Sequence, residues 1–161
     1  MLTCTFEDGG SASLRHVTVN AIVLKDNKVL LGKRGTYNNG KPLLEAGKYG
    51  LLGGYFNRDE TMIECVKREV HEESGWEIDN LRLLRINDNP NRPAEDRQNV
   101  DVIFIADAVK SSGTSDEEVS RLEWFDLSAL PSPHEVAFDH FDALVMCNSF
   151  LAGKIQIPVL G

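Results

Sequence analysis

The chain has 161 residues, 42% of them apolar and 26% charged, with a formal net charge of −8. That length suits one domain, residues 1–161, with a sizeable core, and the acidic balance argues against nonspecific binding to nucleic acid or to an anionic membrane. No apolar run approaches the ~20 residues of a membrane span. No basic run with an apolar stretch opens the chain, so no signal peptide is expected. Three scattered cysteines, Cys4, Cys65 and Cys147, form no metal-ligand spacing and fit a reducing cytoplasm. A small anionic ligand is still admitted, because a bound cation or a local basic cluster reverses the field.

From His16 to Leu24 the chain reads HVTVNAIVL, a β-branched run that predicts a strand. Asp26-Asn27 predicts a turn and Val29-Leu30-Leu31 a second strand. The segment from Gly35 to Gly50 reads as loop, and Leu51-Leu52 as a short buried strand running into Gly53-Gly54. A helix is expected over 61–74, with Thr61 and Glu64 as a capping box and Gly75 as its left-handed stop. Trp76 to Ile86 and Val100 to Val109 predict strands joined by the polar loop NDNPNRPAEDRQN, and Leu122 to Phe125 a short strand. Ala137, Phe141, Leu144, Val145 and Leu151 recur at helical spacing and predict a closing helix from Glu135 to Leu151. Strands mixed with two long helices predict an α/β fold, a sheet covered on both faces.

The helix at 61–74 carries a puzzle in REVHEESGW. At about 100° per residue, Met62, Ile63, Val66 and Val70 form one apolar stripe, with Glu60, Glu64, Lys67, Arg68 and His71 mainly opposite. Glu69, Glu72 and Glu73 fall within roughly a 100° arc bordering the apolar stripe. Like charges three and four apart repel, more so when water is removed. Protonation, an arginine or a divalent cation offsets the repulsion, and an oxygen-only cluster suits Mg²⁺ or Mn²⁺. Spacing alone leaves two readings open, a solvated acidic face and a cation site.

The flanking residues add a pattern. Gly54, Glu60, Arg68, Glu69, Val70, Glu72, Glu73, Gly75 and Trp76 stand at the spacing G-x5-E-x7-R-E-U-x-E-E-x-G-U, with U a bulky apolar residue. A chance match is on the order of 10⁻⁷. This is the Nudix box, and with YGLLGG before it and LEWFDL at 122–127 the chain resembles a single-domain Nudix hydrolase from end to end. The resemblance implies an α/β/α sandwich with a mixed sheet. It also implies Mg²⁺-dependent hydrolysis of a nucleoside diphosphate linked to another moiety, an ADP-ribose-like compound or a nucleotide sugar. It assigns Glu69, Glu72, Glu73 and the Gly53 carbonyl as metal ligands, Glu69 also to the attacking water, Arg68 to fixing the carboxylates and Glu60 to supporting the loop. Gly54 lets the turn approach the helix. A further glutamate outside the box often serves as base or ligand; Glu118 fits best, with Glu117, Glu95 and Asp96 competing.

Substrate contacts are sought nearby. Lys33 and Arg34 at a strand end suit phosphate, and Tyr37, Tyr49 and Tyr55 suit base stacking, each weighed against packing. Arg92 and Arg97 flank the polar loop, where solvent exposure is expected ahead of a phosphate contact. Ala137-Phe138-Asp139-His140 resembles a motif of ADP-ribose-type members; His140 by itself reads as a surface or core histidine, and Cys65 and Cys147 as packing residues. The expected partner is a small nucleoside diphosphate derivative, not nucleic acid or membrane, and a homodimer is admitted. The competing readings are clean-up of altered nucleoside triphosphates and a Nudix-fold nucleotide sensor without activity.

Overall fold

The β-branched run at 16–24 forms a central strand of a mixed sheet in the computed structural model, which describes residues 2–38, 40–92, 98–113 and 119–160. The strands are β1 (Leu2–Thr5), β2 (Ser11–Leu14), β3 (Val17–Lys25), β4 (Lys28–Arg34), β5 (Tyr37–Asn38), β6 (Lys41–Pro42), β7 (Tyr49–Gly50) and β8 (Leu52–Tyr55). Helix α1 (Met62–Ser74) follows, then β9 (Trp76–Asn87), β10 (Val100–Ser111), β11 (Val119–Asp126), α2 (His140–Leu151) and β12 (Val159–Leu160). The large sheet runs β11-β4-β3-β10-β9-β12, with β7 on β4 and β8 on β3. β10 is parallel to β3 and β12 to β9, and the other pairings are antiparallel.

Side chains alternate across a sheet, and here both sets are apolar because both faces are covered. Val19, Ala21 and Val23 of β3, with Val102, Phe104 and Ala106 of β10, pack with Cys65, Val66 and Val70 of α1. Ile22, Ile103 and Ile105 pack on the other face with Ala143, Leu144 and Cys147 of α2. Each fully buried aliphatic side chain contributes about 1.5–3 kcal/mol, so the two layers hold the helices to the sheet. β3 pairs with β4 only over Val23–Lys25; over Thr18–Ala21 the same edge is taken by β8. This fork brings the Gly53-Gly54 turn to the middle of the sheet.

Helix α1 begins and ends where expected. Thr61 Oγ1 accepts from the Glu64 amide, Glu64 Oε2 accepts from the Thr61 amide, and Gly75 stops the helix at φ 68°. Val66 and Val70 of its apolar stripe are buried as expected, with Cys65 beside them, while Met62 and Ile63 are exposed. Helical side chains lean toward the N-terminus, so those of the first turn reach past the packed segment. The closing helix starts at His140, five residues later than the pattern suggested. Val136 and Ala137 instead join the sheet: Val136 bridges Tyr49, and the Ala137 amide donates to the Tyr49 carbonyl at 2.7 Å. The buried face of α2 is His140, Ala143, Leu144 and Cys147, whereas Val145 and Leu151 are exposed. The segment read as loop holds a hairpin, β5–β6, turned at Gly40 with φ 74°. Hairpin β1–β2 and the short β12 carried no periodic signal long enough to read.

Candidate active site

Gly53 and Gly54 lie in register with Asn20 and Val19 of β3. Gly53 has φ 152°, and a Cβ there would overlap the Val19 carbonyl oxygen, so only glycine lets β8 lie this close. Its amide donates to Glu73 Oε2 at 2.8 Å, tying the turn to α1. At Gly54 a Cβ would stand 2.6 Å from the Glu69 carboxylate carbon. The Glu69 carboxylate therefore fills the space that a side chain at 54 would occupy. Gly54→Ala is expected to keep the fold, because only a side-chain end must move, yet to lower kcat roughly a hundredfold by displacing Glu69. Circular dichroism and turnover on one preparation check both halves.

Arg68 organises the acids. Its Nε and Nη2 donate to Glu60 Oε2 and Oε1 at 3.0 and 2.8 Å, and its Nη1 donates to Glu69 Oε1 at 2.8 Å and Glu72 Oε2 at 3.0 Å. Charge-assisted bonds of this kind are the strong ones. Those from Arg68 hold the Glu60 carboxyl at about 2, and Glu60 in turn raises the guanidinium further above its ordinary value. The sequence pattern put Glu60 and Arg68 on the solvent face; both are partly buried instead. The chain before Thr61 folds back, with the Asn57 amide on Glu60 Oε1 at 2.8 Å, and lays Glu60 across the guanidinium. Glu69 and Glu73 lie at the core edge as the helical arc predicted, while Glu72 is half exposed.

A cavity of about 500 Å³ opens beside the turn. Gly53, Gly54 and Glu69 line it, together with Thr18, Asn20 and Asp101 from β3 and β10, the β6 segment from Lys41 to Leu44, and Phe138. Of the sequence-predicted contacts, Arg34, Tyr55 and Arg92 are in its wall. Tyr37 and Tyr49 are not brought to it. Tyr37 is exposed on β5, and Tyr49 packs edge-on against Phe125 at 4.9 Å and donates to Glu123 Oε2 at 2.7 Å. Lys33 turns to the opposite face of β4 from Arg34, as adjacent strand residues must, with its ammonium 5.6 Å over the Tyr49 ring. Glu118, Glu117, Glu95, Asp96 and Arg97 lie outside the described residues.

Arg92 is the largest departure from the sequence expectation, because its side chain is only 3% exposed. Its Nε and Nη2 grip Asp139 at 3.0 and 2.7 Å, and Nη2 also meets Asp101 Oδ2 at 3.4 Å. Asp101 is fully buried and accepts from Thr18 Oγ1 at 3.0 Å and Asn20 Nδ2 at 2.6 Å. Burial pushes its carboxyl up, against the opposing pull of Arg92. Burial acts the same way on Asp139, but the hydrogen bonds and charge of Arg92 outweigh it and hold that carboxyl below its ordinary value. This network was missed in the sequence. Its signal was present in the period of two, since Thr18 and Asn20 share a face with Ile22, and Asp101 with Ile103.

His140, buried beside the cavity, accepts the Leu51 amide on Nδ1 at 3.1 Å. Burial pushes its imidazole down from 6.5 to about 3, with Asp139 pulling the other way. Only the unfolded chain then takes up that proton between these two values, so this contribution is intact above pH 6.5 and lost as the pH falls below it. The expected loss between about pH 7 and about pH 5 is on the order of 1–2 kcal/mol, seen as a lower urea midpoint. His140→Gln, which keeps an acceptor for the Leu51 amide, should flatten that dependence.

Among the described residues, no three histidine, cysteine, aspartate or glutamate side chains already surround a common point. The donor chemistry nonetheless fits a hard divalent cation. Glu69, Glu72 and Glu73 supply only oxygen, Gly54 leaves the cradle for Glu69, and one guanidinium is shared by three carboxylates, Glu60, Glu69 and Glu72. A divalent cation would offset the mutual repulsion of these clustered carboxylates.

The profile of the NUDIX domain family matches residues 14–145. The chain is 36% identical over 124 residues to the ADP-ribose pyrophosphatase of Methanocaldococcus jannaschii, a match covering 77% of this chain and 68% of that protein. It is 31% identical over 110 residues to the NAD-capped RNA hydrolase NudC of Vibrio atlanticus, covering 68% of this chain but only 36% of that protein's length. The structure resembles that of a NUDIX hydrolase from Nitrosomonas europaea, with a TM-score of 0.76 at 21% identity, covering 94% of this chain and 81% of that one. The chain belongs to the Nudix hydrolase family, and its mixed sheet between two helices is the α/β/α sandwich of that fold. Nudix hydrolases generally use divalent metal ions.

Proposed function

We propose that this Nudix hydrolase cleaves the diphosphate bridge of a nucleoside diphosphate linked to another moiety, with ADP-ribose-like compounds as the leading substrates and Mg²⁺ as the cation. The observation that carries this reading is the placement of Glu69. Its carboxylate occupies the cradle left by Gly54 and lines the cavity, while Glu73 anchors the same turn through the Gly53 amide. The similarity to an ADP-ribose pyrophosphatase over most of the chain supports the substrate class.

Glu69, Glu72, Glu73 and the Gly53 carbonyl would hold the cation, which when bound supplies positive charge against the diphosphate oxygens and makes water more acidic. Glu69, the one of these three carboxylates that lines the cavity, would orient the attacking water and accept its proton. Arg68 keeps Glu69 and Glu72 from splaying apart, and the bond between Glu73 and Gly53 keeps helix and turn in register. Arg34, in the cavity wall, adds fixed positive charge toward a polyanionic substrate.

The test is a panel of ADP-ribose, nucleotide sugars, NAD and oxidised nucleoside triphosphates with Mg²⁺, with products weighed after reaction in ¹⁸O-water. Turnover led by ADP-ribose, with label in one phosphate product, supports the reading. Preferred turnover of triphosphates would move the substrate class, and no turnover of any of them would sink the enzymatic reading.

A further inference from the structure

Phe138 has φ 53°, the left-handed region that a bulky side chain rarely enters. The other described non-glycine residues with positive φ are Asp26, Asn27, Glu45, Asp59, Asn80 and Gln98, all polar. The neighbours of Phe138 enforce its conformation. Ala137 is tied by its amide to Tyr49, Asp139 is held by Arg92 and Asn87, and His140 is fixed on the Leu51 amide. What this strain delivers is an aromatic ring in the cavity wall. Strain held by its surroundings beside a cavity points to a binding role.

The ring is paired. The Arg34 guanidinium carbon stands 5.1 Å over the Phe138 ring, and Arg34 Nε donates to the Leu44 carbonyl at 2.9 Å, which fixes the plane of the guanidinium. Pro42, Leu43 and Leu44 add apolar wall to the same cavity. A fixed planar cation on an aromatic ring, faced by apolar side chains, suits a flat heteroaromatic ring that carries a phosphate close by. A lysine would supply the charge but not the plane.

We propose that the Arg34–Phe138 pair is the subsite for the planar base of the substrate, an assignment that rests on the nucleoside diphosphate reading above. Two of the three tyrosines that the sequence offered for stacking lie away from the cavity, and this pair takes the role instead.

The experiment compares AMP with ribose 5-phosphate as ligands, by calorimetry and as inhibitors. Phe138→Leu and Arg34→Lys should each weaken AMP about tenfold or more while leaving ribose 5-phosphate within about twofold, because only AMP carries a base. Phe138→Trp should keep AMP affinity and add an emission that AMP quenches and ribose 5-phosphate does not. Equal losses for both ligands would mean a charge or packing role and would overturn the assignment, as would undiminished AMP binding. If Phe138→Leu fails to fold, Arg34→Lys decides the matter. Wild-type turnover of ADP-ribose is measured alongside. Its absence with AMP discrimination intact refutes the ADP-ribose reading and leaves the subsite standing, whereas turnover without discrimination refutes the subsite alone.

Discussion

Replacing Glu72 by glutamine is expected to lower kcat at least a hundredfold while the protein stays folded. The carboxylate is half exposed, with its side chain at 51%, and its described hydrogen bond is to Arg68 at 3.0 Å. An exposed pair of this kind contributes at most ~1 kcal/mol to stability, so thermal melting should hardly change. Glutamine keeps the shape and removes the charge, which isolates electrostatics from packing. If Glu72 helps to hold the cation, the lost stabilisation falls on the transition state, where several kcal/mol of charge neutralisation are at stake. Turnover is measured with Mg²⁺ saturating and again across a Mg²⁺ titration, and the variant should show both a lower ceiling and a weaker response. Full activity would remove Glu72 from the metal set.

Replacing Arg92 by methionine should act on stability instead. The guanidinium lies between Asp101, fully buried, and Asp139. Taking it away leaves two carboxylates without their main cation in a low-dielectric interior, a loss of about 3–5 kcal/mol. Against a typical total of 5–15 kcal/mol, that is enough to lower Tm by roughly 10 °C or more. Adding Asp101→Asn should restore part of the loss, because the orphaned charge goes with it while an acceptor for Thr18 and Asn20 remains. Urea unfolding of the two single variants and the double closes the cycle. An Arg92→Met protein as stable as wild type would show that the ion triad contributes nothing net to folding.

Local chemistry is what made parts of this protein legible in its sequence. The ends of α1 follow from Thr61, Glu64 and Gly75 because a cap is decided by residues within one turn. The arc of Glu69, Glu72 and Glu73 follows from helical geometry, and the long strands from runs of β-branched residues. The stripe on α1 was carried one turn too far toward its start and α2 was begun five residues too early, for a different reason. Which apolar side chains are covered depends on what packs against them, and Val136 and Ala137 were drawn into the sheet by Tyr49, almost ninety positions away. Arg92 looked like a solvated loop residue since the period of two marks Asp101 as inward but not which cation meets it, and Asp139 joins from another part of the chain.

The sequence by itself determined the family and the acidic helix, because the spacing of Gly54, Glu60, Arg68, Glu69, Glu72 and Glu73 lies within one turn and one helix. The fork in β3, which lets β8 bring Gly54 under Glu69, and the cavity shared by Arg34, Phe138 and Asp101 were decided only by tertiary structure. Their members come from strands and loops distant in the chain, and long-range pairing, not local propensity, sets which of them meet.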